Sequence, residues 1–183
     1  MSVEEAKFEY AVNFLLKHEL GFVNNKNDPG GPTAYGISLR YLKAAGIDID
    51  GNDTIDIHDI YALDKTRTRE IYKTQWWDKY NYTLINSLKI GAKLLDMAVW
   101  MGPGRAHKFL QIAINRVQDN PITVDGNLGN KTFIALNGLI DTNKGNELLS
   151  EIKNNIEHFI VNLCADNPSL KGFKQGWLKR AGE

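Results

Sequence analysis

Apolar residues recur at three-and-four spacing along most of this chain, and that period predicts one helix after another. Phe8, Ala11, Val12, Leu15 and Leu16 form the first stripe, and a second helix is expected near Ser38 to Ala45, stopped by Gly46. Thr66 to Tyr80 reads as a helix carrying Ile71, Tyr72, Trp76 and Trp77, and Asn81 to Ser87 as a polar break. Leu88 to Met101 is apolar on nearly every side, as a central helix packed all round would be. Gly102-Pro103-Gly104 ends it, and Arg105 to Val117 is amphipathic through Ala106, Phe109, Leu110, Ala113 and Val117. A turn at Asp119-Asn120-Pro121 leads to a short helix beyond Thr132. The last long helix, Gly145 to Leu163, repeats Leu148, Ile152, Ile156, Phe159 and Leu163. Asn167-Pro168 stops it, and a tail with Phe173 and Trp177 follows. No run alternates over strand length, so the expected class is all-α.

With 183 residues the chain can build one full core, or one domain with two lobes. The formal net charge of zero gives no support to a nucleic-acid or polyanion binder. The single cysteine, Cys164, excludes an intramolecular disulfide and a multi-cysteine metal site, and its apolar setting suggests a small buried residue. The acidic start, Met1-Ser2-Val3-Glu4-Glu5, lacks the basic region and apolar core of a Sec signal peptide. No apolar run approaches membrane-spanning length, so no membrane insertion is expected. The expectation is synthesis in the cytoplasm without a Sec signal. Repeats are absent, and the one plausible seam is the turn at Gly102 to Gly104, dividing the chain into 1–101 and 102–183.

Candidate chemistry begins where the first stripe ends. Continued by one turn, the stripe reaches Glu19, a carboxyl where Leu or Phe would be expected. Partial burial and the negative end of a helix dipole both disfavour its ionised form and raise its pKa, which suits a general acid near neutral pH. The plainer alternative is a surface glutamate paired with Lys17 or His18. Asp28 follows nine residues later and Thr33 another five, in a loop whose glycines allow close approach to a ligand.

Glu, Asp and Thr at this spacing after a first helix resemble the active-site hairpin of phage-type lysozymes. The fuller string, Glu19-x-Gly21-Phe22-Val23-Asn24 then Asp28-Pro29-Gly30-Gly31-x-Thr33-x-Tyr35-Gly36-Ile37, is similar to the N-acetylmuramidases of glycoside hydrolase family 108. The resemblance implies that Glu19 is the essential catalytic residue. The chain departs from the family pattern at Leu20, where a second glycine is usual, and at Asn25 and Asn27, where acidic residues are common. Leu110-Gln111 with Val124-Asp125-Gly126, Leu128-Gly129 and Thr132 resembles the peptidoglycan-binding half common in that family.

Asp48 to Asp59 matches a calcium loop of the EF-hand or dockerin kind, with oxygen ligands at Asp48, Asp50, Asn52, Asp56 and Asp59 and apolar Ile55 in the eighth position. Asp53 occupies the sixth position, normally glycine; the alternative is an acidic turn linking two helices. Trp76, Trp77, Tyr80, Tyr82 and Trp100 could stack on sugar rings or simply pack a core, and the family resemblance favours Trp77 as a groove residue. Asp96, inside the apolar central helix, needs a hydrogen-bonding partner such as a loop amide or Arg105. The run Asp96-Met97-Ala98-Val99 before Gly102 resembles a family motif, which makes Asp96, with Tyr35 and Trp77, a candidate for the substrate site.

The resemblance implies an all-α, lysozyme-like fold with two helical lobes and a saccharide groove. It implies hydrolysis of the β-1,4 bond between N-acetylmuramic acid and N-acetylglucosamine in peptidoglycan glycan strands, with no cofactor required. Phage or prophage origin, and export by a holin or dedicated secretion route, are the accompanying expectations. Two rival readings are a non-catalytic peptidoglycan-binding module and a calcium-responsive helical interaction protein.

Overall fold

The computed structural model describes residues 2–18, 21–22 and 31–183. It is mostly helical, at 71%, and divides into two compact units, Met1–Tyr82 and Thr83–Glu183. The expected seam at 101/102 follows the glycine-rich turn. The compact units divide earlier because the central helix packs with the helices after it.

In the first unit, α1 (Val3–Leu16) opens with a reciprocal cap. Glu5 N donates to Ser2 Oγ at 3.1 Å and Ser2 N to Glu5 Oε2 at 2.6 Å, satisfying two donors that a helix start leaves bare. Phe8, Ala11, Val12 and Leu15 are buried as the stripe predicted. A two-stranded antiparallel hairpin, β1 (Thr33–Ala34) and β2 (Ile37–Ser38), is too short to register as alternation in the sequence. Ser38 then caps α2 (Leu39–Ala45), and Gly46 ends it in the left-handed region at φ 66°.

After α3 (Ile57–Ala62) and α4 (Lys65–Tyr72), the chain continues as a π-helical turn over Lys73–Asp78. The sequence expectation of one helix from Thr66 to Tyr80 holds in extent but not in period. Consecutive Trp76 and Trp77 are both buried there. The expected polar break at 81–87 instead holds a 3-10 turn, Tyr82–Leu84, and Tyr82 and Ile85 are core residues.

In the second unit every residue from Ile90 to Ala98 of α5 (Leu88–Met101) is buried, including Lys93 and Asp96. Around it and each other pack α6 (Pro103–Val117), α7 (Asn130–Asp141), α8 (Gly145–Asp166) and α9 (Lys174–Gly182), the last preceded by a 3-10 turn, Pro168–Phe173. The α8 stripe runs Leu148, Ile152, Ile156, Ile160, Cys164, so its second half shifts one residue from the expected Phe159 and Leu163. Buried Cys164 meets the expectation of a small core residue, its thiol 3.8 Å from the Leu170 carbonyl. Among the described residues, no helix is long and apolar enough to cross a membrane.

Candidate active site

The glutamate-centred segment is framed by described residues on both sides. α1 ends at Leu16 with Lys17 as its C-cap, and His18 N still reaches back to Leu15 O at 3.0 Å. Glu19 and Asp28 lie outside the described residues. On the far side, Thr33 Oγ1 donates to Gly31 O at 3.1 Å, and Leu39 N donates to Pro32 O at 2.9 Å. The hairpin turns on Tyr35 and Gly36, at φ 49° and 80°. Two successive positive φ values match the twist of a tight hairpin, but for tyrosine that conformation is strained. The Tyr72 hydroxyl, donating to Tyr35 O at 2.6 Å from the core of α4, holds it in place.

Between α1, the hairpin and α4 lies a cleft of about 410 Å³, lined by Asn13, Lys17, Gly21, Tyr35, Lys65 and Arg69. Lys17 and Gly21 sit two residues either side of Glu19 in the chain, and Tyr35 two beyond Thr33. Arg69 is anchored to Glu9 by an ion pair and to Asn13 Oδ1 at 3.1 Å. The cationic wall of Lys17, Lys65 and Arg69 has no signature in the sequence. Arg69 meets Glu9 across 60 positions, and no local pattern records such a pairing.

Two expected site residues prove structural. Trp77 is 3% exposed, with its ring edge-on to Phe8 at 5.7 Å and to Tyr82 at 5.9 Å, so it packs the first core and does not line a groove. Trp76 is enclosed likewise by Tyr41 and Tyr72. Asp96 is fully buried in the second unit, and its partner is Arg180, not Arg105. Arg180 Nε and Nη2 donate to Asp96 Oδ1 at 3.1 and 2.7 Å, and Lys93 Nζ lies 3.9 Å from Oδ2. Burial pushes the Lys93 amine down to about 8, against the pull of Asp96. A carboxylate so enclosed holds α9 to α5 and presents nothing to a ligand.

The acidic loop is partly as expected. Carboxylate oxygens of Asp48, Asp50 and Asp59 lie within 4.8 Å of one another, and Asp53 takes the left-handed conformation at φ 64° that the sixth position of such a loop needs. Asp56 does not join them. Its carboxylate caps α3 through His58 N at 2.7 Å and contacts His58 Nδ1 at 3.0 Å. Asn52 is spent on the turn itself, donating to Asp50 Oδ2 at 2.9 Å and accepting from Thr54 N at 2.8 Å. Burial pushes the Asp48 carboxyl up, but hydrogen bonds led by Gly51 N and Asp53 N outweigh it and leave its pKa lowered. Buried Asp59 accepts from Ile49 N and Asp56 N at 2.6 and 2.7 Å, so the loop is closed by its own amides. Three of the five expected ligand residues thus lie together.

The Asp-Gly and Leu-Gly turns of the second unit wrap one buried glutamine. Gln111 Nε2 donates to Asp125 Oδ1 at 2.8 Å and Asn127 O at 3.0 Å, while Gly126 N donates to Gln111 Oε1 at 2.7 Å. Gly126 sits at φ 84°, and a Cβ there would lie 2.9 Å from Gly104 O. That motif builds a loop and needs its glycine.

Residues 12–102 match the family Glycosyl hydrolase 108, and residues 105–182 match the family Predicted Peptidoglycan domain. Comparison with curated proteins gives no match. Among matching solved structures is that of Brucella abortus SagA, at 26% identity and a TM-score of 0.75, covering 97% of this chain and 91% of that one. The chain thus belongs to the glycosyl hydrolase 108 family: it is a glycoside hydrolase with an all-α, lysozyme-like fold whose second half is a predicted peptidoglycan domain.

Proposed function

We propose that this glycoside hydrolase cleaves the β-1,4 bond between N-acetylmuramic acid and N-acetylglucosamine in peptidoglycan, with Glu19 as the general acid. The observation that carries this reading is the cleft lined by Lys17, Gly21 and Tyr35, which flank the Glu19 and Thr33 motif. Lys17 and Lys65 on its wall suit a glycan bearing carboxylates, while Arg69 is already paired with Glu9. Turbidity of a suspension of purified walls tests the reading. Hydrolysis predicts clearing, and protein that sediments with intact walls would favour the binding-only alternative.

Asp28 and Thr33 act on the opposite face of the sugar. A second carboxylate about 5 Å from the acid gives a covalent intermediate and retention, whereas about 6.5–9.5 Å admits a water and gives inversion. The glycine-rich segment that carries Asp28 favours the wider gap, with Asp28 as base or electrostatic stabiliser and Thr33 positioning water. Asp28→Asn is expected to lose most activity and Thr33→Ala less, with binding kept. Proton NMR is expected to find the α anomer first; an initial β product would mean retention.

No cofactor enters this chemistry. Calcium, held by Asp48, Asp50 and Asp59, would serve the fold alone and raise stability by about 2.7 kcal/mol at a hundredfold excess over its dissociation constant. Melting temperatures in millimolar calcium and in chelator check this, and equal values would leave an acidic turn. Wall lysis for a phage or prophage, after synthesis in the cytoplasm and passage through a holin-type or dedicated route, is the biological role that fits.

A further inference from the structure

In the second unit, Trp100, Phe159 and Trp177 line one hollow without being sealed into the core, and Phe173 backs Trp177. Phe173 is 58% exposed and stacks on Trp177 with centroids 5.6 Å apart and planes 17° apart. Trp177 meets the edge of Trp100 at 6.4 Å. The Arg105 guanidinium lies 4.4 Å over the Phe159 ring. Between them is a hollow of about 240 Å³, lined by Trp100, Arg105, Phe159, Leu163 and Trp177.

Packing alone does not account for this arrangement. Trp100 is only half-buried, yet Arg180 braces it from 5.0 Å, and Arg180 is itself locked to fully buried Asp96. A buried ion pair is a costly way to hold a ring that apolar neighbours could have covered. It does make sense of a ring kept rigid and accessible. Flat aromatic faces, a guanidinium at the rim and room for about one sugar ring are the parts of a saccharide subsite. Among the described residues, exposed Arg105 is in no ion pair, which leaves its charge for an anion on the ligand.

We propose that this hollow binds a muramic acid residue of a peptidoglycan strand. The sugar's C–H face stacks on Trp177, whose ring Phe173 backs, and its lactyl carboxylate pairs with Arg105. The proposal rests on the peptidoglycan reading above and gives the second unit a binding site of its own, built from residues outside the catalytic segment.

Peptide-free glycan strands, prepared by amidase treatment of purified walls, are the probe. Full-length parent, Phe173→Ala and Arg105→Gln are compared by equilibrium co-sedimentation with insoluble strands and by thermal melting. Both side chains are exposed, so both variants are expected to melt like the parent. Each should weaken binding about tenfold, Arg105→Gln by removing the counter-charge and Phe173→Ala by loosening Trp177. Binding of both variants within about twofold of the parent would overturn the proposal, as would strands that bind only when their peptides are left on. Release of reducing ends by the parent is scored separately: its absence would contradict the hydrolysis reading and leave the binding comparison standing.

Discussion

Glu19→Gln is expected to abolish wall hydrolysis while leaving the melting temperature near that of the parent. The amide keeps the shape of the side chain but has no proton to give a departing glycosidic oxygen. General acid catalysis contributes on the order of a hundredfold to ten-thousandfold in rate. Turbidity of purified walls, with circular dichroism to check folding, measures the effect. A folded variant that clears walls at near the parent rate would remove Glu19 from the acid role and leave Asp28 as the carboxylate to test next. Wall binding through the second unit is expected to survive the substitution, because Trp177 and Arg105 belong to the other compact unit.

The second large effect concerns stability. Asp96→Ala is expected to destabilise the second unit by about 3–5 kcal/mol, because it removes the buried carboxylate that Arg180 and Lys93 face. Arg180 Nε and Nη2 lose Asp96 Oδ1, and the brace beneath Trp100 loosens with them. Urea unfolding, read by far-ultraviolet circular dichroism, checks this. A loss below about 1 kcal/mol would mean that the ion pair is dispensable packing. Asp96→Leu provides the informative contrast: it fills the space but removes the same carboxylate, so it too is expected to destabilise.

How much of the fold and site is legible in the chain depends on how local each signal is. The stripes of α1, α5 and α6 record burial directly, and the structure buries those faces. The π-helical turn at 73–78 leaves no such record, since a stripe read at 3.6 residues per turn does not reveal where the helix widens. The expectation of Trp77 in a groove rests on resemblance; in the structure its ring is buried against Phe8 and Tyr82. Asp96 does need a partner, as its place in an apolar helix implies, but that partner stands 84 positions away on α9, beyond any pattern in the chain. The acidic loop keeps the register its spacing predicts, as Asp53 at positive φ attests. Asp56 stands apart from the three clustered carboxylates because helix capping claims its own. The cationic cleft is likewise assembled from separate elements, so only the fold brings Lys17, Lys65 and Arg69 to one wall.

The central claim is the bond that is cut, and mass spectrometry of borohydride-reduced fragments from purified walls tests it most directly. Cleavage after N-acetylmuramic acid predicts fragments ending in reduced N-acetylmuramic acid, and fragments ending in reduced N-acetylglucosamine, or peptides released from uncut glycan, would contradict it.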